Sequence, residues 1–469
     1  MQAHTQVKSP KLMAFVLMFS SFIGLFGETA LNMALTDIMD DFSVFPSTAQ
    51  WLTTAYLLVL AILVPLSSYL VRWFTTRQLI VSALIISTIG SLMGALSPNF
   101  TVLLLGRMVQ AIGTGIFLPL MFSVVLLIFP IQKRGAVMGI VGLVLTAGPA
   151  LGPSISGLII SSSSWHYIFW IMIVLYLAIL VIGYSKLDNV SSITKPKIDI
   201  LSLLCSSIGF GGIVYALATM AEVSITEPKV WVPLVVGIIA LLLFGVRQLK
   251  MAEPMINLTV FKFPMFSLGI IMMFATMFII LSVAILTPLY LKSVLAYTAI
   301  SAGLLMLPGN VLNIVMSPVV GTSFDKVGAK IYTRIGFLLI TIAAILFILT
   351  ISAITPVWQI VGLLCIFFVG VSMTIMPAQT NAMNALPVHL YADGSAALNT
   401  LTQVAGAAGT AVAITVFTAG QKQYFATNGA EQPLEALAYG VNHAFIPVLI
   451  VAIIGLVTSL FIKNSRSAR

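Results

Sequence analysis

Charged side chains are what this sequence has least of: Asp, Glu, Lys and Arg make up 7% of its 469 residues, against roughly 25% in soluble domains. So little charge excludes a water-facing globular surface. Cysteine is almost missing as well. Cys205 and Cys365 fall in separate apolar runs, which gives neither a disulfide nor a metal site. The chain has no H-E-x-x-H pair and no G-x-x-x-x-G-K-S/T phosphate loop, so metal-dependent hydrolysis and ATP-driven pumping lack their residues. Neither an enzyme nor a metal or organic cofactor is expected. The formal charge of +9 does not indicate nucleic acid, because the basic residues sit in short segments between apolar runs.

What is present is apolar length. Hydrophobic residues make up 60% of the chain, and runs able to cross a bilayer as helices of roughly 20 residues recur from end to end. They are continuously apolar rather than alternating, which excludes a β-barrel. The expected fold class is all-α integral membrane, with fourteen spans near 12–35, 51–71, 78–97, 102–128, 136–160, 167–185, 200–221, 230–247, 265–290, 301–323, 331–352, 358–378, 395–418 and 443–462. With the amino terminus inside, 18 of 22 basic residues fall in inner loops or termini, as the positive-inside bias requires. Both termini are therefore expected on the cytoplasmic side. Polar connections at 186–199 and 248–264 divide the chain into a six-helix bundle over 1–185, two additional helices with their linkers over 186–264, and a second six-helix bundle over 265–469. Two bundles that rock about a central cavity are a common route to alternating access.

Sorting the thirteen acids by this map leaves Glu28 alone well inside the apolar zone, with Glu222 near a span end as the one competitor. An intramembrane carboxylate is by default a functional hypothesis. Span four carries Arg107, Gln110 and Thr114 at three- and four-residue spacing, hence on one helix face. Glu28 lies ~7 Å and Arg107 ~10 Å outward of the middle of their spans at 1.5 Å per residue. The two sit level. The functional reading makes Glu28 a proton carrier answering to burial and to the approach of Arg107; the plain alternative is a static buried ion pair. Cavity candidates are Gln110 and, more weakly, Asn32, one turn from Glu28, with Tyr56, Asn310, Asn313 and Gln403. The stretch "LTAGPALGPSISG" supplies Gly148, Pro149 and Gly152, small residues for close helix approach and a proline for bending. In "GTSFDKVGAK", Gly321 and Gly328 suit a tight turn, while Asp325 with Lys326 and Lys330 form a charge cluster.

Taken in order, "ALNMAL", "STAQWLTTAYLL", "RMVQAIG", "GPALGP" and the ten-residue loop pattern "GTSFDKVGAK" with its counterpart "SYLVRWFTTR" give a chain that resembles, over its whole length, the fourteen-span drug:proton antiporters of the major facilitator superfamily. The resemblance implies two six-helix bundles, two extra central helices, and export of amphipathic compounds such as drugs, antiseptics and dyes in exchange for protons. It carries over to Arg107, Gln110, Gly148, Pro149, Gly152, Gly321, Asp325 and Gly328. Arg72 stands where the family's first loop has an aspartate and Thr75 where it has a glycine, so the amino-half latch is expected to be degraded. The family's span-one acid falls at Gly27, with Glu28 one place later. Expected partners are a small-molecule substrate, protons and lipid, in a monomer of the bacterial cytoplasmic membrane. A dedicated exporter of one metabolite, or a flippase of a lipid-linked precursor, is the competing expectation on the same fold.

Overall fold

In a computed structural model, the protein is described over residues 9–44, 46–184, 187–190, 193, 199–220, 223, 226–251, 254–428 and 432–464. Glu222 and the side chain of Asp325 lie outside the described residues. The helices are α1 (Pro10–Ala30), α2 (Leu35–Phe42), α3 (Pro46–Trp73), α4 (Thr76–Ala95), α5 (Phe100–Ile128), α6 (Ile131–Ser162), α7 (His166–Tyr184), α8 (Ile200–Met220), α9 (Pro228–Lys250), α10 (Pro264–Leu289), α11 (Ala299–Val327), α12 (Ala329–Thr350), α13 (Val357–Ser372), α14 (Ile375–Asn384), α15 (Tyr391–Asn428) and α16 (Pro433–Leu460). Among the described residues, twelve helical segments are long and apolar enough to cross a membrane, and thirteen if the two halves of α6, bent by 40° between Pro149 and Leu151, count as one. The apolar part of α3, Trp51–Ser67, is shorter.

Two of the expected spans break. The first ends at Ala30 rather than 35: Asn32 N–H turns back to Thr29 O and Ala34 N–H to Leu31 O, tightening the chain before α2 begins. α2 then carries Asp37, Asp40 and Asp41, and Trp165 Nε1 donates to Asp41 at 2.7 Å, pinning it to the start of α7. Such acids keep α2 out of the apolar zone. The second break separates α13 from α14 at Met373–Thr374.

The chain forms two compact units. Unit one holds Met1–Ile213, Val235–Lys262 and Leu386–Thr400; unit two holds Val214–Leu234, Phe263–Ala385 and Leu401–Arg469. In unit one, α1 packs against α5, α6 and α7, and α4 against α5 and α7. In unit two, α10 packs against α14 and α16, and α12 against α13 and α16. Each unit contains a helix pair brought together by facing glycines. A Cβ on Gly106 would meet Gly90 O at 2.9 Å, and one on Gly370 would meet Gly336 O at 2.8 Å. Backbones this close gain dispersion and carbonyl contacts that replace the hydrophobic drive missing between helices in lipid.

Of the two glycines expected in the carboxy-half turn, Gly328 forms it, whereas Gly321 lies inside α11. Gly328 adopts φ 81°, which favours glycine, and a Cβ there would strike the Asn464 side chain at 2.3 Å. Asn464 Oδ1 also accepts Lys330 N–H at 3.0 Å, so the turn after α11 is fastened to the chain beyond α16. Gly321 is buried within α11, whereas the Lys330 side chain is exposed.

The glycine pairs make a direct prediction. Gly90→Ala places a methyl group 2.6 Å from Gln110 N and 2.7 Å from Gly106 O, and overpacking of this kind costs about 1–3 kcal/mol. Gly245→Ala meets nothing within 4 Å. Thermal melting in detergent should show Gly90→Ala several degrees below wild type and Gly245→Ala at or above it; equal melting points would contradict the packing.

Candidate functional site

The site grows out of the carboxyl end of α1. Where α1 stops, its last carbonyls lose their helical partners. Asn32 N–H would ordinarily bond Glu28 O, but it bonds Thr29 O instead, and the freed Glu28 carbonyl accepts from Arg107 Nη2 at 3.4 Å. A guanidinium against the negative end of a helix is favourable, the more so out of water. Arg107 is 1% exposed, so each of these contacts matters. Its Nη1 donates to Gln110 Oε1 at 3.0 Å, and its Cζ lies 4.3 Å from the centre of the Tyr56 ring, a cation–π contact worth about 2 kcal/mol or more when desolvated. No hydrogen-bond partner meets Arg107 Nε among the described residues.

Tyr56 and Gln110 are both 1% exposed and are hydrogen-bonded inside the bundle. The Tyr56 hydroxyl donates to Gly24 O at 3.0 Å and lies 2.7 Å from the Thr114 hydroxyl, tying α3 to α1 and α5. Gln110 Nε2 donates to Ser91 Oγ at 2.8 Å on α4. Gly24 is required there: its Cβ would fall 2.4 Å from Thr114 Oγ1.

Glu28 is level with Arg107, but the static carboxylate–guanidinium pair that was the alternative reading does not form among the described residues. The link runs through the Glu28 backbone, while the carboxyl, 6% exposed, leaves Oε2 without a hydrogen bond among the described residues. Position 27 is the one that faces the arginine. A Cβ on Gly27 would stand 3.9 Å from Arg107 Nη1, but also 2.5 Å from Met172 Cε. One residue along a helix is a rotation of about 100°. Moving the acid from 27 to 28 therefore turns it off the guanidinium, and Met172 fills the space.

Proline chemistry explains how α6 is held against α1. Pro153 has no N–H, so the Pro149 carbonyl four residues earlier has no helical donor; Thr29 Oγ1 supplies one at 3.0 Å. Gly148 and Gly152 let the backbones meet, their Cβ atoms falling 2.8 Å from Leu25 Cβ and 2.1 Å from Thr29 Oγ1. The other cavity candidates are scattered. Asn32 is exposed, its Oδ1 accepting from Thr53 Oγ1 at 3.0 Å. Asn310, Asn313 and Gln403 belong to unit two; the two asparagines are 1% exposed, Asn313 O accepts from Ser317 Oγ at 2.8 Å, and Gln403 is half-buried.

Many spans, glycine-packed helix pairs in two units and buried polar groups within them define a polytopic helical membrane protein. The sequence profile of the Major Facilitator Superfamily matches residues 17–410, and the chain belongs to that family. It is a multi-pass membrane transporter, not an enzyme. The chain is 49% identical to the lincomycin resistance protein LmrB of Bacillus subtilis over 454 residues, covering 96% of this chain and 95% of that one. It is equally 49% identical to the LmrB of Listeria monocytogenes over 460 residues, 97% of each chain. A proton:xylose symporter of the superfamily shares the fold, with TM-score 0.67 and 14% identity over 98% of this chain and 97% of that one.

A double-mutant cycle tests the α1–α6 contact. Thr29→Val leaves the Pro149 carbonyl unpaired, at about 1–3 kcal/mol, whereas Pro153→Ala returns a backbone N–H to it. The double variant should melt above the value expected from adding the two single effects. Simple additivity would show that the Thr29 bond contributes nothing.

Proposed function

We propose that this transporter exports amphipathic, drug-like small molecules from the cytoplasm in exchange for protons, with Glu28 carrying the proton. The observation that carries the reading is the Glu28 carboxyl, buried at membrane depth, with Oε2 free of hydrogen bonds among the described residues. It can gain or lose a proton without breaking an ion pair, while Arg107 remains close enough to sense its charge. Relatives named for lincomycin resistance support the substrate class, and lincomycin is the first compound to test. The reading includes fourteen spans, counting both the bent α6 and α3, in a six-two-six arrangement with both termini in the cytoplasm. The distribution of basic residues supports that orientation. The protein works as a monomer in the bacterial cytoplasmic membrane, powered by the proton gradient with no cofactor, and alternates access by rocking one bundle against the other.

The test is reconstitution into proteoliposomes with an imposed pH gradient. Wild-type protein should move lincomycin against its gradient, and Glu28→Gln, which keeps shape and removes the titratable group, should lower gradient-driven transport by at least about tenfold. Gradient-driven transport at the wild-type rate in Glu28→Gln would end the carrier assignment. Indifference to lincomycin and to lipophilic dyes alike would favour a dedicated exporter or lipid flippase.

A further inference from the structure

Arg72, the residue expected to mark a degraded latch, is paired. Its Nη2 lies 2.8 and 3.0 Å from the two carboxylate oxygens of Asp393, in the first turn of α15. Asp393 is 1% exposed. A cation stands on the α3 side, where the resembled family has an aspartate, and the anion sits at the start of a helix, where the positive helix end favours it. The same end of α15 is held by Ser395 Oγ donating to Pro119 O at 3.3 Å. α15 is one unbroken helix: residues to Thr400 belong to unit one, and the remainder belongs to unit two, where Gly406 packs on Leu281 and Gly409 on the Phe278 backbone of α10.

The pair is not isolated. Arg72 Nη1 also donates to Pro254 O at 3.3 Å, and Asp393 Oδ1 accepts Asn257 N–H at 3.1 Å. Residues 254–257 thus form a strap across the pair. The strap's other edge is fixed to the two additional helices: Gln248 Oε1 on α9 accepts Met255 N–H at 2.7 Å and Ile256 N–H at 3.3 Å, and its Nε2 donates to Ser202 Oγ on α8 at 2.7 Å. Gln248 is 2% exposed, so a replacement that cannot bond leaves the strap amides orphaned. Ser202 in turn donates to Asp199, which accepts Arg247 Nε at 2.6 Å and Nη2 at 2.8 Å. The Arg247 hydrogen bond holds the Asp199 carboxyl well below the usual carboxylate range, so this corner stays charged at physiological pH.

We propose that the additional helices α8 and α9 control the transporter's gate through this strap: Gln248 holds residues 254–257 in place, and the strap holds the Arg72–Asp393 lock closed on the first turns of α15. The helix pair thereby becomes a regulatory element. Loosening it opens the lock from a distance, because the ion pair, the strap amides and Gln248 form one continuous bonded chain.

The test needs neither a substrate nor a pH gradient, so it stands or falls apart from proton antiport. In a Cys205→Ala, Cys365→Ala background, Ser395→Cys puts a buried thiol under the lock, and its maleimide labelling rate in purified, detergent-solubilised protein reports opening. Arg72→Ala should raise that rate by about tenfold, in the range of ordinary coupling energies. Gln248→Leu, which touches neither Arg72 nor Asp393, should also raise it severalfold. Gln248→Glu, which keeps an acceptor for the two strap amides, should stay near background and shows that the position tolerates change. Because both act on one chain of bonds, Arg72→Ala with Gln248→Leu should label no faster than Arg72→Ala alone. Background labelling in Gln248→Leu, or additive effects in the double variant, would overturn the coupling; background labelling in Arg72→Ala would overturn the lock.

Discussion

The buried guanidinium of Arg107 is the constraint from which the amino-half site follows. A positive charge at membrane depth costs ~2.5–3.5 kcal/mol on insertion scales unless something answers it. Here the answer is assembled from several weak partners rather than one carboxylate: a helix-end carbonyl, an amide oxygen and an aromatic face. Each partner fixes an element. The carbonyl requires α1 to stop near Ala30, the ring requires Tyr56 to be anchored between Gly24 and Thr114, and the amide requires Gln110 to be braced by Ser91. The break after α1, at first sight an interruption of a spanning helix, is what exposes the carbonyl.

Packing supplies the precision this needs. Lipid offers helices no hydrophobic drive to associate, so contact depends on small residues and on backbone groups freed by proline. Pro153, Thr29, Gly148 and Gly152 work as a set: the proline frees a carbonyl, the threonine takes it, and the glycines allow the approach. The Gly336–Gly370 contact in unit two parallels the Gly90–Gly106 contact in unit one, so the same solution is used in each.

The spans were legible in the sequence because a bilayer demands length and apolarity, and both are properties of a continuous stretch. Glu28 and Arg107 were legible for the converse reason, since charge is conspicuous where it is expensive. The breaks were not, because they depend on which acceptor Asn32 N–H chooses and on where Met373 and Thr374 turn, local competitions that hydropathy does not register. Nor was the partner of Arg72. Asp393 lies 321 residues away, in a stretch read as a loop before a span, and only the fold makes it the first turn of a helix. Tyr56 and Gln110 were found by their polarity, but polarity alone does not separate a residue that greets a ligand from one that fastens helices together.

The two departures from the family pattern share a physical logic. In each, a charge has moved and the electrostatics have been rebuilt around it. At the lock, a cation stands where the resembled family has an aspartate, and an acid at the start of α15 answers it. In the membrane the acid stands one position later. An acid at position 27 would face Arg107 directly, and its proton would compete with a short ion pair; at 28 the acid is turned aside, and the guanidinium is held by a backbone carbonyl, an amide oxygen and an aromatic ring. That separation keeps Arg107 fixed whatever the carboxyl does. On the proposed reading of Glu28 as proton carrier, a group that changes charge repeatedly is better placed beside its electrostatic partner than bound to it, because the structure around the partner then does not have to be remade with every proton.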